Sequence, residues 1–152
     1  LWADAVGAFF IYNDFGMGEQ ASATIAGRER IRVLLAEGQT EARLALREYL
    51  KGQPGLDVVG EAADCNELVA QTEAIRPDLV LLDWDLPGQS KGNLVAALRN
   101  PDCRPLVVVL GKRPESSAPA MDAGADAFVY KGQGPKQVAL TIRWLVLEAR
   151  YA

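Results

Sequence analysis

Three charged residues each come directly after an apolar run of the sequence: Glu37, Asp83 and Lys131. Carboxylate oxygens are the ligands that hard cations such as Mg²⁺ prefer, and an ammonium group can bind the oxygens of a phosphoryl group. If the fold brings the three side chains to one edge, they form a site suited to a phosphoryl group and its counter-ions. Asp and Lys are also common where strands meet solvent, so position by itself leaves a purely structural role equally open.

The composition excludes several kinds of chemistry. The sequence contains no histidine, which rules out Ser-His-Asp and Cys-His catalytic sites and metal sites with histidine ligands. Its net charge of −4 weighs against a surface for nucleic acid or anionic membranes. No apolar run approaches the roughly 18 residues that span a bilayer, and the isolated Cys65 and Cys103 are typical of a reducing compartment. We expect a cytoplasmic protein that binds neither nucleic acid nor membrane.

Short apolar runs alternate with amphipathic stretches along the chain. Asp64 with Glu67 is a capping-box start, Gly124 is placed to end a helix in the left-handed conformation, and Pro135 is a favourable first helical residue. Strands are predicted over 31–36, 56–62, 79–82, 106–110 and 127–130, and helices over 40–51, 64–75, 92–99, 115–123 and from 135 onward. The continuously apolar strands predict an α/β fold, a doubly wound (βα)5 parallel sheet of five strands with helices on both faces.

The length of 152 residues fits one domain. The chain does not begin with Met, whereas Met17 lies inside its first segment. We therefore interpret residues 1–29 as an N-terminal extension or a vector-derived segment, two origins that the sequence leaves open, and residues 30–152 as the domain.

Two segments, 77–88 around Asp83 and 123–131 before and including Lys131, are the most distinctive. With the five βα units in order, they make the chain from about 31 to 148 resemble the receiver domain of two-component response regulators, which has a flavodoxin-like fold. The resemblance implies that Asp83 accepts a phosphoryl group from the phosphohistidine of a kinase and that Lys131 contacts the phosphoryl oxygens. It also implies that Phe128 is an aromatic switch whose rotamer reports phosphorylation.

The chain departs from that family at three positions. The family usually has two adjacent acidic residues after the first strand, which hold Mg²⁺, and here they are Glu37 and Gly38. A Thr or Ser usually follows the fourth strand, and here it is Gly111; the proline that commonly follows the lysine is Gly132.

These departures weaken the expected metal site. Glu37, Asp83 and the backbone carbonyl of Asp85 remain as Mg²⁺ ligands, Gly38 is a lost ligand, and Gly111 is a degenerate switch position. Mg²⁺ demands near-ideal octahedral geometry, so we expect weak or absent Mg²⁺ binding and a broken relay from hydroxyl to aromatic ring. Lys112 is expected to occupy the space left at Gly111 and to pair with Asp83 or Asp85.

Three functions are therefore compared. The first is an atypical receiver domain in a His-Asp phosphorelay, and the second is a pseudo-receiver that binds other proteins without phosphorylation. Restoring Asp at position 38 and Thr at position 111 is predicted to raise metal binding and labelling. The third, remote alternative comes from Asp83-Trp84-Asp85, which is similar to the D-x-D motif of haloacid-dehalogenase-type phosphohydrolases; we expect no enzyme.

The resemblance also implies partners. A sensor histidine kinase or a phosphotransfer protein would supply the phosphoryl group, and the last strand with the last two helices would form the surface of a homodimer. The sequence does not identify the kinase, the pathway or an output domain.

Overall fold

A computed structural model describes residues 30–151 of the chain, with no side-chain description for residues 150 and 151, so the predicted N-terminal segment 1–29 lies outside the described residues. Within them, five parallel strands form one sheet in the order β2-β1-β3-β4-β5. The strands are β1 (Ile31–Ala36), β2 (Leu56–Ala62), β3 (Leu79–Asp83), β4 (Leu106–Gly111) and β5 (Ala127–Tyr130). The predicted parallel sheet is confirmed.

Helices connect the strands and cover both faces of the sheet. They are α1 (Thr40–Lys51), α2 (Cys65–Ile75), α3 (Lys91–Ala97), α4 (Ser117–Asp122) and α5 (Pro135–Tyr151), with short 3-10 helices at Pro114–Ser116 and Lys131–Gln133. None of the helices in the described part of the chain combines the length and the apolar character needed to cross a membrane. The connections make the fold doubly wound, as predicted.

Each strand sends alternate side chains to the two faces, because successive residues of a strand point in opposite directions. On one face, buried residues of α1 and α5 pack against strand residues such as Leu35 and Leu81. On the other face, residues of α2, α3 and α4 pack against Leu34, Leu82 and Phe128. Because helices cover both faces, β1, β3, β4 and β5 are largely buried, whereas β2, at the edge of the sheet, includes the polar residues Asp57 and Glu61.

Two of the predicted helix ends are confirmed in atomic detail. At the start of α2, Oδ1 of Asp64 accepts a hydrogen bond from the backbone N–H of Glu67 at 2.8 Å, and Oε2 of Glu67 accepts one from the N–H of Ala63 at 2.7 Å. After α4, Gly124 has a φ of 104° and donates to the carbonyl of Met121 at 3.0 Å. These bonds satisfy backbone groups that a helix end otherwise leaves unpaired.

The fourth helix is shorter than predicted. The sequence pattern predicts one helix over 115–123, whereas the structure has a 3-10 turn at Pro114–Ser116 followed by α4 over Ser117–Asp122. Pro119 explains the difference, because it has no N–H to donate to the carbonyl of Glu115 and its ring would collide with that carbonyl. The third helix likewise ends at Ala97 rather than at position 99.

Asp126 anchors the start of β5. Its Oδ2 accepts a hydrogen bond from the N–H of Val107 at 2.8 Å and another from Nη2 of Arg99 at 2.5 Å. The N–H of Asp126 donates to the carbonyl of Val107 at 2.8 Å, and Nη1 of Arg99 donates to the carbonyl of Gly124. These contacts connect Arg99, two residues after α3, and Val107 of β4 to the start of the strand that carries Phe128.

Candidate functional site

The carboxyl ends of β1, β3 and β5 bring three charged side chains together. Nζ of Lys131 lies 2.9 Å from Oε2 of Glu37 and 3.1 Å from Oδ1 of Asp83. Parallel strands end at the same edge of the sheet, which is why residues far apart in the sequence meet here. The ammonium group therefore bridges the two carboxylates.

Both carboxylates are buried, so each needs a nearby positive charge. Glu37 is 2% exposed and Asp83 is 3% exposed. A buried carboxylate without a partner is costly, and one partly buried ammonium group serves both. Burial by itself would lower the pKa of Lys131, but the hydrogen bond to Glu37 and the negative charge of Asp83 outweigh it, so this pKa lies above its ordinary value.

Backbone groups hold the two carboxylates in place. Oε1 of Glu37 accepts from the N–H of Gln39 at 3.2 Å, and Oδ1 of Asp83 accepts from the N–H of Asp85 at 3.2 Å. Nη1 of Arg43, from the first turn of α1, donates to the backbone carbonyl of Glu37 at 2.9 Å. None of the hydrogen bonds or ion pairs among residues 30–151 uses Oδ2 of Asp83.

The side chains of Asp85 and Lys112 form no ion pair with the described residues of this cluster. The side chain of Asp85 is exposed, and within residues 30–151 no group of three or more acidic, cysteine or histidine side chains is arranged to hold a metal ion. Lys112 is also exposed, and no ion pair between described residues includes it. The expectation that Lys112 pairs with Asp83 or Asp85 is therefore wrong, because Lys131 already neutralises Asp83.

Pro87 covers Gly38, the position at which the resemblance implies a second acidic ligand. A Cβ atom on Gly38 would lie 2.9 Å from Cδ of Pro87 and 3.4 Å from the carbonyl of Ala63. Pro87 is itself fastened, because its carbonyl accepts a hydrogen bond from the N–H of Cys65 at 2.9 Å. A side chain at position 38 thus requires the loop after β3 to move.

The ring of Phe128 fills the corresponding space beside Gly111. A Cβ atom at position 111 would lie 2.5 Å from both Cε2 and Cζ of that ring, and Phe128 is only 2% exposed. The space left by the absent side chain is thus filled by the aromatic ring and not by Lys112. A Cβ atom on Gly132 would likewise overlap the ring of Tyr130.

The residues present do not fit the Mg²⁺ site that the resemblance implies. Mg²⁺ needs six oxygen ligands at short distances in nearly ideal octahedral geometry. One acidic position is Gly38 beneath Pro87, and the carboxylates of Glu37 and Asp83 both hold the ammonium group of Lys131. Among the described residues, the site offers a metal ion two carboxylates, and both already bind the ammonium group of Lys131.

Sequence reasoning missed Pro87 and Arg43 as residues that shape the site. The contact between Pro87 and Gly38 had no local signal, since nothing in either segment points to the other. The role of Arg43 did have a local signal in the sequence, because a cation in the first turn of the helix after β1 is within reach of the end of that strand.

Comparisons with known proteins show the family of the chain. The profile of the family described as response regulator receiver domain matches residues 33–143. Transcriptional regulatory protein BtsR of Salmonella typhi is 31% identical over 115 residues, which cover 76% of this chain and 48% of BtsR. The DNA-binding transcriptional activator DevR/DosR of Mycobacterium tuberculosis is 33% identical over 115 residues, covering 74% of this chain and 53% of that protein. The chain therefore spans about half the length of the curated relatives it matches.

Solved structures agree on the fold. The signal receiver domain of NarL from Mycobacterium tuberculosis superposes with a TM-score of 0.67 at 25% identity, covering 76% of this chain and 97% of that one. A two-component response regulator of the LuxR family from Aurantimonas sp. superposes with a TM-score of 0.72 at 24% identity, covering 79% of this chain and 87% of that one.

Proposed function

The chain belongs to the response regulator receiver domain family, and from that membership we propose that Asp83 is the phosphoacceptor of a two-component His-Asp phosphorelay. Receiver domains typically bind Mg²⁺ at their acidic pocket and interact with histidine kinases or phosphotransfer proteins. In this chain the proposed receiver is atypical, since Mg²⁺ binding is weakened at Gly38 and switching is weakened at Gly111.

One observation carries the assignment of Asp83. Its carboxylate lies at the end of β3 with Oδ1 held by Lys131, while Oδ2 takes part in none of the hydrogen bonds or ion pairs among described residues. An oxygen of Asp83 attacks the phosphorus of a phosphohistidine, so that a P–O bond forms, the P–N bond breaks and the imidazole leaves with the electron pair and takes up a proton. The ammonium of Lys131 offsets part of the added negative charge.

Transfer is proposed to be slow because the compensating charge is small. An acyl phosphate adds negative charge beside Glu37, and a divalent cation is the main local compensation in phosphoryl transfer. Lys131 carries one positive charge and already balances one of the two carboxylates. The relay that follows is weakened too, because Gly111 has no hydroxyl to bond a phosphoryl oxygen.

A second candidate function is a pseudo-receiver that binds partners without phosphorylation. The packing of Phe128 favours it, because its buried ring fills the space beside Gly111 and leaves no room there for a side chain that could bond a phosphoryl oxygen. In this case the surface beside β5 is presented in a single arrangement whether or not Asp83 is modified.

The remaining properties of the domain are also proposals. We propose a cytoplasmic, non-enzymatic domain whose partner is a sensor histidine kinase or a phosphotransfer protein, and which does not itself bind nucleic acid or membrane. Homodimerisation is proposed through β5, α4 and α5, since β5 is an edge strand of the sheet. The D-x-D phosphohydrolase remains the remote alternative; the exposed side chain of Asp85 does not favour it as an acid or base beside Asp83.

Labelling with a small phosphodonor such as acetyl phosphate tests the proposal. Intact mass measured at ordinary Mg²⁺ concentration should show acid-labile labelling of the wild type that is slow and incomplete. The label should be lost in Asp83→Asn and kept in Asp85→Asn, which removes a carboxylate two positions away and serves as the matched control.

Each other outcome has a defined meaning. Labelling that persists in Asp83→Asn rejects Asp83 as the acceptor, and rapid stoichiometric labelling of the wild type rejects the weakened pocket. If the wild type takes up no label even after long incubation, the pseudo-receiver is the function. Sustained turnover of the phosphodonor would favour the phosphohydrolase.

A further inference from the structure

We infer that the ammonium group of Lys131 is the resident counter-cation of this pocket and takes the place that a divalent cation would have. Nζ lies 2.9 Å from Glu37 and 3.1 Å from Asp83, so one cation contacts a carboxylate from each of two neighbouring strands. The inference deepens the proposed function and rests on it for its role in signalling, whereas its geometry concerns only the charges of the pocket.

The side chain of Lys131 extends from a short backbone segment whose conformation is constrained. Lys131 begins a 3-10 turn directly after β5, and the N–H of Gly134 closes that turn on the carbonyl of Lys131 at 3.1 Å. The ring of Tyr130 lies where a side chain on Gly132 would be. The turn therefore fixes the backbone position from which the side chain of Lys131 extends to the two carboxylates.

Exchange of the lysine for a metal ion is unfavourable on three counts. The ion would have to displace an ammonium group from two buried partners, and breaking a buried pair costs more than an exposed one. The ion would find no third carboxylate, because Gly38 lies beneath Pro87. The displaced ammonium would also remain close to the ion and repel it. Binding of divalent cations to the wild-type pocket is therefore weak or absent.

Removal of the ammonium group tests this inference directly. Mg²⁺ and Mn²⁺, each alone, are titrated into the full chain and followed by calorimetry and by the unfolding temperature. The wild type should show no saturable binding, whereas Lys131→Met should gain affinity on the order of tenfold or more, since a positive charge is removed between two carboxylates. Lys51→Met is the matched control: it removes the same charge from an exposed residue at the end of α1, and it should bind no better than the wild type.

A second measurement keeps the inference falsifiable if Lys131→Met does not fold. The ¹⁵Nζ resonance of Lys131 in the wild type should be protected from solvent exchange and unchanged by Mg²⁺. Displacement of that resonance by Mg²⁺, saturable binding in the wild type, or equal affinity in wild type and Lys131→Met would each overturn the inference. None of these titrations uses a phosphodonor, so failure of the counter-cation inference and failure of Asp83 as the acceptor are separate results.

Discussion

The ring of Phe128 occupies the volume that a side chain at position 111 would fill, with two ring carbons 2.5 Å from where its Cβ would be. Pro87 covers Gly38 in a similar way at 2.9 Å. These two positions, where the resemblance implies a departure from the receiver family, are therefore packed and not vacant. Such packing means that a lost residue cannot be restored by one substitution, because its neighbour has taken its space.

Adding one methyl group at position 111 should destabilise the fold. In Gly111→Ala the new atom overlaps the ring of Phe128, and overpacking of this kind costs about 1–3 kcal/mol. The free energy of unfolding in urea measures it. The cost should fall in a Phe128→Leu background, because the overlapping ring atoms are gone and the two substitutions are then coupled.

Gly92→Ala provides the control for that experiment. A Cβ atom at this position in α3 has only Oγ of Ser90 near it, at 4.0 Å, so the substitution should be neutral or stabilise by about 0.4–1 kcal/mol. Two results would contradict the packing described for Phe128. One is an equal loss of unfolding free energy in Gly111→Ala and Gly92→Ala. The other is a loss in Gly111→Ala that is the same with Phe or Leu at position 128.

Restoration of the second acidic residue should fail unless its neighbour also changes. Gly38→Asp alone is expected to give no Mg²⁺-dependent rise in unfolding temperature, because Pro87 blocks the new side chain. Gly38→Asp combined with Pro87→Ala should show such a rise. Gly38→Asn with Pro87→Ala matches it in size without the charge, and a rise in that variant would show that charge is not the cause.

The contribution of Lys131 to stability should be lost at high pH. Its pKa is higher in the folded protein than the roughly 10.4 of an exposed lysine, so the stabilisation is complete below that value and disappears as the pH rises through the folded pKa. The difference in unfolding free energy between wild type and Lys131→Met should be constant near neutral pH and shrink above about pH 10.4. A difference that grows with pH in that range would contradict the raised pKa of Lys131.

Asp126 should stabilise the start of β5. Asp126→Ala leaves the N–H of Val107 and the guanidinium of Arg99 without their acceptor, at a cost of about 1–3 kcal/mol in chemical denaturation. Asp122→Ala, an exposed carboxylate on α4, should change stability by less than about 0.5 kcal/mol. Similar losses in both variants would mean that the contacts of Asp126 add little.

The sequence by itself determined the order of the elements and the residues that the strands present at their carboxyl ends. The bounds of β1, α1, β2 and β5 agree with the prediction to the residue, because apolar runs and glycine or proline breaks are local signals. The helix predicted over 115–123 was wrong in length, since the effect of Pro119 on the preceding turn was overlooked.

Only the tertiary structure decided which lysine contacts the buried carboxylates and which side chains fill the space beside the glycines of the site. Lys112 and Lys131 both follow strands that end at the same edge, yet Lys131 alone contacts Asp83, and its partner Glu37 lies 94 positions away in the sequence. The choice depends on the packing of side chains from separate strands and loops, such as Phe128 against Gly111. That packing is a property of distances in space, and no local pattern of residues encodes it.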